Sequence, residues 1–224
     1  DTEKQYVYKE SVIPMEEANG VYNIIAYEND RLYINGYQLI HNHKEMDEEN
    51  NNDVYGIAKL YSVNVDGSDL KEIPLDTVKE EYIQQMVVGK DCNITLLIES
   101  LSGKEKILVR IDEKGQELAR KSLGNIIKQI DNTGLIKLLV TDNEKIVLVT
   151  SLVIYLLDTD FNIISEIEVQ GDIQDAAFSK AGNVICVVPV PQNDMKQTCK
   201  IKVLDLNKQE WCEEISVNVS SESD

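Results

Sequence analysis

The amino-acid sequence predicts an all-β fold: a β-propeller, or a partial propeller, with four visible four-stranded blades of about 47 residues. Three observations predict it. Residues 155–169 (YLLDTDFNIISEIEV) read as two strands joined by a polar turn, and three variants of them stand at 61–75 (YSVNVDGSDLKEIPL), 108–123 (LVRIDEKGQELARKSL) and 202–217 (KVLDLNKQEWCEEISV). The turn residues Asp66, Asp112, Asp160 and Asn207 are 46, 48 and 47 positions apart, and a fixed period in this range marks a stacked or radial repeat. Helical periodicity is nearly absent, and four short apolar runs per repeat are separated by turn signals roughly every 8–12 residues. A sandwich would not need turns matched at this spacing, whereas four strands in about 45 residues make one propeller blade.

Taken in order, residues 1–19 are polar apart from 6–13 (YVYKESVI), a candidate closing strand that Pro14 ends, because proline cannot donate to a ladder. The first blade, 20–76, has strands at 21–27, 31–40, 57–65 and 70–75, with turns at 28–30 and at Asp66-Gly67. Its insertion 41–53 (HNHKEMDEENNND) is too charged to pack and reads as a solvated loop. Residues 77–85 could wind a turn or two of helix or simply link the blades. The second blade, 81–123, has strands at 83–88, 94–100, 106–111 and 117–123. The third, 126–170, has them at 135–140, 145–150, 153–157 and 163–169. The fourth, 173–217, has them at 174–178, 184–190, 200–204 and 211–217, and 218–224 form an acidic tail or linker. A lone four-stranded sheet of this composition exposes apolar faces on both sides, and stacking neighbours buries them.

Composition narrows the function. Forty acidic against 22 basic residues give a formal charge of −18. That surface repels nucleic acid and anionic membrane, keeps the chain in solution, and leaves room for cations or a basic partner. No apolar run reaches the roughly 20 residues that span a bilayer. The chain opens at Asp1 with no initiator Met, which reads as a mature or trimmed form, so a missing signal peptide says nothing about export. Cys92, Cys186, Cys199 and Cys212 form no CxxC pair, which argues against a zinc ribbon or thioredoxin-like site. A Cys186–Cys199 or Cys199–Cys212 bridge remains open.

The candidate chemistry is sparse. His41 and His43, two apart on a strand and followed by Glu45, Asp47, Glu48 and Glu49, are candidate metal ligands, because alternate strand positions share a face; a solvated polar loop explains them more simply. Asp66, Asp112, Asp158, Asp160 and Asp205 resemble a ladder of carboxylates. They recur at one turn on different blades, which suits side-chain hydrogen bonds to turn amides better than paired acid–base work. No GxSxG, GxGxxG or P-loop occurs, so no catalytic residue is assigned and no cofactor is implied. Asn93 and Asn218 match the glycosylation acceptor pattern, and Trp211 with Tyr22, Tyr27 and Tyr33 could line a sugar site or serve the core.

The repeats resemble blades of the bacterial TolB-like, six- to eight-bladed propellers. Residues 178–183 (FSKAGN) resemble the FSPDGN turn of those blades, 155–160 (YLLDTD) resemble their turn between third and fourth strands, and 61–71 resemble the same turn in bacterial surface lipoproteins. Only the first outer turn carries Asp-Gly, and no blade has Trp-Asp. The resemblance implies a non-catalytic binding module, exported and lipid-anchored at a cell surface. Its ligand would be a glycan, a peptide or a neighbouring domain, held by loops near Gly20, Tyr82, Gly134 and Asp172. A carboxylate-based hydrolase and a structural spacer are the alternatives. A closed four-blade ring and the N-terminal part of a longer propeller both remain open.

Overall fold

Side-chain alternation along each strand decides this architecture. In the computed structural model, which describes residues 23–41, 54–75, 81–100, 105–125, 127, 136–169, 173–179, 183–190 and 197–219, sixteen strands form four antiparallel sheets of four. The first sheet holds β1 (Asn23–Glu28), β2 (Arg31–His41), β3 (Val54–Asn64) and β4 (Lys71–Ile73). The second holds β5 (Glu81–Val88), β6 (Ile94–Ser100), β7 (Lys106–Ile111) and β8 (Glu117–Ser122). The third holds β9 (Ile136–Val140), β10 (Ile146–Thr150), β11 (Val153–Leu157) and β12 (Ile163–Glu168). The fourth holds β13 (Asp175–Phe178), β14 (Asn183–Val190), β15 (Gln197–Asp205) and β16 (Glu210–Val219).

Within each sheet the strands pair in chain order, and the first strands β1, β5, β9 and β13 adjoin one another. That is the arrangement of propeller blades around an axis, so the all-β propeller reading holds. Of residues 77–85, which could wind a helical turn or link the blades, 77–80 lie outside the described residues and the rest belong to strand β5, Glu81–Val88. Among the described residues the helical element is a single 3-10 turn, Leu123–Asn125. No described helix is long and apolar enough to cross a membrane.

Three cores lie between consecutive sheets. Along β6, Ile94, Leu96 and Ile98 pack with Tyr33, Leu60 and Ile73 of the first sheet. The intervening Leu97 points the other way, to Leu138, Ile146 and Leu148 of the third. Along β10 the pattern repeats, with Val147 and Val149 meeting Ala176, Val184 and Cys186 of the fourth. These inner positions are almost fully shielded, which is why the middle strands carry near-continuous apolar runs rather than a polar-apolar alternation. The outer strands are less shielded: β12 leaves Ile163 and Ile164 exposed.

The two ends of the stack differ. On the first sheet, Ile34, Tyr61 and Val63 are buried on the face away from the second. On the fourth, Ile185, Ile201 and Val203 occupy the face away from the third and are only half-buried, and Ile215 beside them is 51% exposed. Their counterparts on the third sheet, Val147, Ile154 and Leu156, are sealed against the fourth. Cys186 is a free thiol at 0% exposure, and Cys212 is free and exposed. With both of these thiols free, neither bridge that involves Cys199 forms. The register gives the reason, since Cys186 lies opposite Lys202 while Cys199 lies opposite Pro189.

Candidate functional site

One end of the molecule collects turns from several blades. The β1–β2, β5–β6 and β9–β10 hairpins lie there, and so does the β3–β4 turn, since the Val65 amide donates to the Asp30 carbonyl at 3.1 Å. Each outer turn is built by a side chain that accepts from amides ahead of it. Asp112 Oδ1 accepts from the amides of Lys114 and Gln116, both at 2.8 Å. Asp158 Oδ1 accepts from Asp160 and Asn162 at 2.9 and 2.8 Å. Asp205 Oδ1 accepts from Asn207 and Lys208 at 2.9 and 3.1 Å. In the first blade Asp66 Oδ1 accepts from the Ser68 amide at 2.9 Å. The carboxylate ladder is therefore structural in these turns. The repeat anchors on Asp112, Asp158 and Asp205, so Asp160 and Asn207 sit two positions past the equivalent residue.

The innermost hairpins are tied across the blade seams by 89–93 of the second blade. On one side, Asn29 Nδ2 donates to the Lys90 carbonyl at 3.2 Å and to Cys92 Sγ at 3.1 Å. Behind them stands the buried Tyr33 hydroxyl, whose pKa is pushed up to about 12 by burial, with Cys92 and Glu113 adding to it. Burial also raises the Cys92 thiol, and Glu113 beside it acts in the same direction. On the other side, the Asp91 amide donates to Glu144 Oε1 at 3.3 Å, and Lys90 pairs with Asp142 at 2.9 Å. Gly89 allows this approach, since a Cβ there would stand 1.9 Å from Glu144 Oε2 and 2.8 Å from Asp91 Oδ1.

Charge at this end is uneven. Arg31 is consumed by Asn64, Ser62 and Asp69, and Arg110 by Asp91 at 2.7 Å. Burial works against ionisation of Asp91, yet the Asn93 amide, Glu144, the Asn93 side chain and Arg110 together hold its carboxyl below the usual range. Glu144 moves oppositely: burial first, then the neighbouring Asp91 carboxyl, raises it. Sequence reasoning missed this pair because its members lie 53 positions apart, on turns of two blades. The signal that could have found it is the turn position itself, just before the second strand of each blade.

The positions expected to bind lie mostly outside the described residues. Gly20, Gly134 and Asp172 lie outside the described residues, and of Tyr82 only the strand β5 backbone is described. His41 ends β2 opposite Val54, and His43 lies outside the described residues. Among the described residues no group of three or more His, Cys, Asp or Glu is placed to hold a metal ion. Of the aromatic set, Tyr22 lies outside the described residues, Tyr33 is core, Tyr27 is exposed, and Trp211 sits on the outer strand of the fourth sheet with Lys202 Nζ 5.9 Å from its ring centroid. Asn93 spends its side chain on Asp91.

The chain matches no protein-family model and no curated protein. Solved structures do match. YCF48 bound to D1 peptide superposes with a TM-score of 0.52 at 12% identity over 92% of this chain and 56% of that one. The β-propeller domain of the Trilobed protease from Pyrococcus furiosus gives 0.50 at 11% over 90% and 57%. Porphyromonas gingivalis dipeptidyl peptidase 4 gives 0.50 at 10% over 89% and 30%. The chain thus spans from under a third to little more than half the length of these structures, and what it shares with them is the β-propeller fold.

Proposed function

We propose that the chain is a non-catalytic recognition module that holds an extended, basic peptide segment on its hairpin end. The observation that carries the reading is the interlocking of turns from three blades into one acidic platform, tied by the Asn29 and Glu144 contacts to residues 89–93. A preformed surface loses little freedom on binding, and excess carboxylate charge steers a cationic segment to it. Peptide is favoured over glycan because a propeller of similar fold is known with a peptide bound and because an acidic surface attracts a cationic segment more than a neutral sugar; the exposed Tyr27 at the β1–β2 hairpin is the aromatic side chain that a sugar would use instead. The turn resemblance of residues 61–71 supports export and attachment at a bacterial surface. Fractionation of the source cells checks this, and recovery in the cytoplasm alone would contradict it.

The test is binding of a Lys- and Arg-rich peptide library at low and high salt. Binding is expected to weaken by tenfold or more as salt rises from about 0.05 to 0.5 M, because screening shortens the reach of exposed charges. Equal affinity for acidic peptides, or none for basic ones, would overturn the reading. A glycan array and a pull-down of neighbouring domains run in parallel, and a hit in either replaces the peptide.

A second reading has a specific observation behind it. Two carboxyls whose environments push their pKa values apart form the acid–base pattern of a hydrolase, and Asp91 with Glu144 is such a pair. Turnover of peptide or glycoside substrates that Glu144→Gln abolishes would favour it over recognition.

A further inference from the structure

We propose that Asp91 and Glu144 form a proton-operated clamp between the second and third blades, closed while one proton is shared by the two carboxyl groups and loosened when Glu144 ionises. The geometry is that of a shared site. Glu144 Oε2 and Asp91 Oδ1 both flank the same point above Gly89, at 1.9 and 2.8 Å from where a Cβ would sit. The oxygens are therefore within 4.7 Å of each other, since two points cannot be farther apart than the sum of their distances to a third. Glu144 holds the left-handed backbone conformation, φ +61°, that this turn position also takes at Cys92 and Phe161, and it carries the side chain toward the opposite turn. Its Oε1 is the acceptor for the Asp91 amide, so one side chain engages both backbone and carboxyl of the opposite turn.

The proton resides on Glu144 because the charge is already claimed by Asp91. Arg110 Nη2 reaches Asp91 Oδ2 at 2.7 Å, Asn93 Nδ2 reaches the same oxygen at 2.5 Å, and the Asn93 amide reaches Oδ1 at 3.0 Å. Among the described residues no cation is placed on Glu144 in this way. Lys90 lies beside it but is paired with Asp142, and the Asp91 and Lys90 amides, which favour the charged form of Glu144, are outweighed. Burial and the Asp91 carboxyl both disfavour a second negative charge, which raises Glu144 as noted above. When the proton leaves for solvent, two carboxylates face each other across Gly89, and like charges at this range repel. The contact that is lost is the one between the two carboxyl groups, so that residues 89–93 and 141–145 are then joined through the Asp91 and Lys90 amides on Glu144. Lys90–Asp142, with 57% and 74% of its side chains exposed, is a weak replacement.

The sign follows from the raised value. The clamp's contribution is complete below the ordinary glutamate pKa and is lost as pH rises through the raised one. Asp91 has the reverse dependence, so the seam is tightest in the mildly acidic interval where Asp91 is charged and Glu144 is not. The consequence for ligand binding rests on the recognition reading, because loosening these turns reshapes the platform. The clamp itself needs no ligand, so failure of the titration and failure of peptide binding are separate results.

The test is a carboxyl-detected NMR titration of the wild-type chain over roughly pH 3 to 8, with urea midpoints measured for it and for Glu144→Gln. Glu144 is expected to titrate above ordinary glutamate, with amide signals of 89–93 and 141–145 shifting at the same midpoint. The carboxamide introduced by Glu144→Gln donates at every pH and never charges, so that variant loses both the joint shift and the stability decline on raising pH through that midpoint. A Glu144 that titrates at or below the ordinary value, or amides of the two turns that ignore its titration, would overturn the clamp on the wild-type protein alone.

Discussion

Asp158 shows what a single turn residue does in this fold. Its carboxylate accepts from two amides and from Asn162 Nδ2 at 3.0 Å. Burial opposes its ionisation, but those three donors outweigh burial and lower its pKa, with Lys121 assisting. The turn it shapes places Phe161 at φ +61° with its ring fully buried between the second and third blades. A bulky residue in the left-handed region is unusual, and here the Phe161 amide bond to the Asp158 carbonyl at 3.0 Å holds it. Asp158→Ala is expected to destabilise by about 1–2 kcal/mol, the cost of orphaning turn amides that a carboxylate had satisfied. A urea midpoint unchanged from wild type would refute that role.

Elements stack here because a strand presents alternate residues to two neighbours. Leu148 on β10 is fully buried among residues of the second and third blades, and Leu148→Ala is expected to cost about 2–5 kcal/mol through lost burial and the cavity left behind. Gly115 is a sharper probe. It has φ +79°, and a Cβ there would stand 1.9 Å from the Pro74 carbonyl oxygen of the first blade. Gly115→Ala combines the left-handed backbone penalty of about 1–2 kcal/mol with a clash against main chain that cannot swing aside. It should lower the thermal midpoint by more than a solvent-facing Gly→Ala does, and equal midpoints would show that the seam gives way. Most element positions were legible beforehand. Strands β6, β7 and β11 lie where the apolar runs placed them, because short runs bounded by Gly, Asn and Asp admit few alternatives. The strand expected from residue 83 starts two residues earlier, at Glu81, where polar Gln84 and Gln85 interrupt the apolar run. A register shift between Ile83 and Gln85 takes up that interruption without ending strand β5.

At the scale of the whole molecule, acid should lower the stability of the protein. Asp69, Asp175 and Glu214 are lowered first by hydrogen bonds from Lys71, Lys137 and Lys200 respectively. The Lys208 amide lowers Asp205. Groups with depressed folded values contribute stability above the ordinary carboxylate range, and that contribution is lost as pH falls through the depressed values. Thermal midpoints should therefore fall below about pH 4, each exposed pair adding only a little, in the direction opposite to the Glu144 effect. A midpoint that rises on acidification would refute it. The half-buried face of Ile185, Ile201 and Val203 on the fourth sheet continues the pattern of the three sealed seams, the feature a structural spacer would use to dock a neighbour.

Residue order alone determined the all-β class, the four-sheet count and the role of the turn aspartates, since each follows from periodicity and local hydrogen bonding within a few positions. Only the tertiary structure decided which thiols stay free, which face of each strand is sealed, and that Asp91 meets Glu144. Those outcomes depend on separations of many residues closed by packing one sheet on another. Such contacts arise from apolar surface being buried without regard to sequence distance, and no local pattern encodes them.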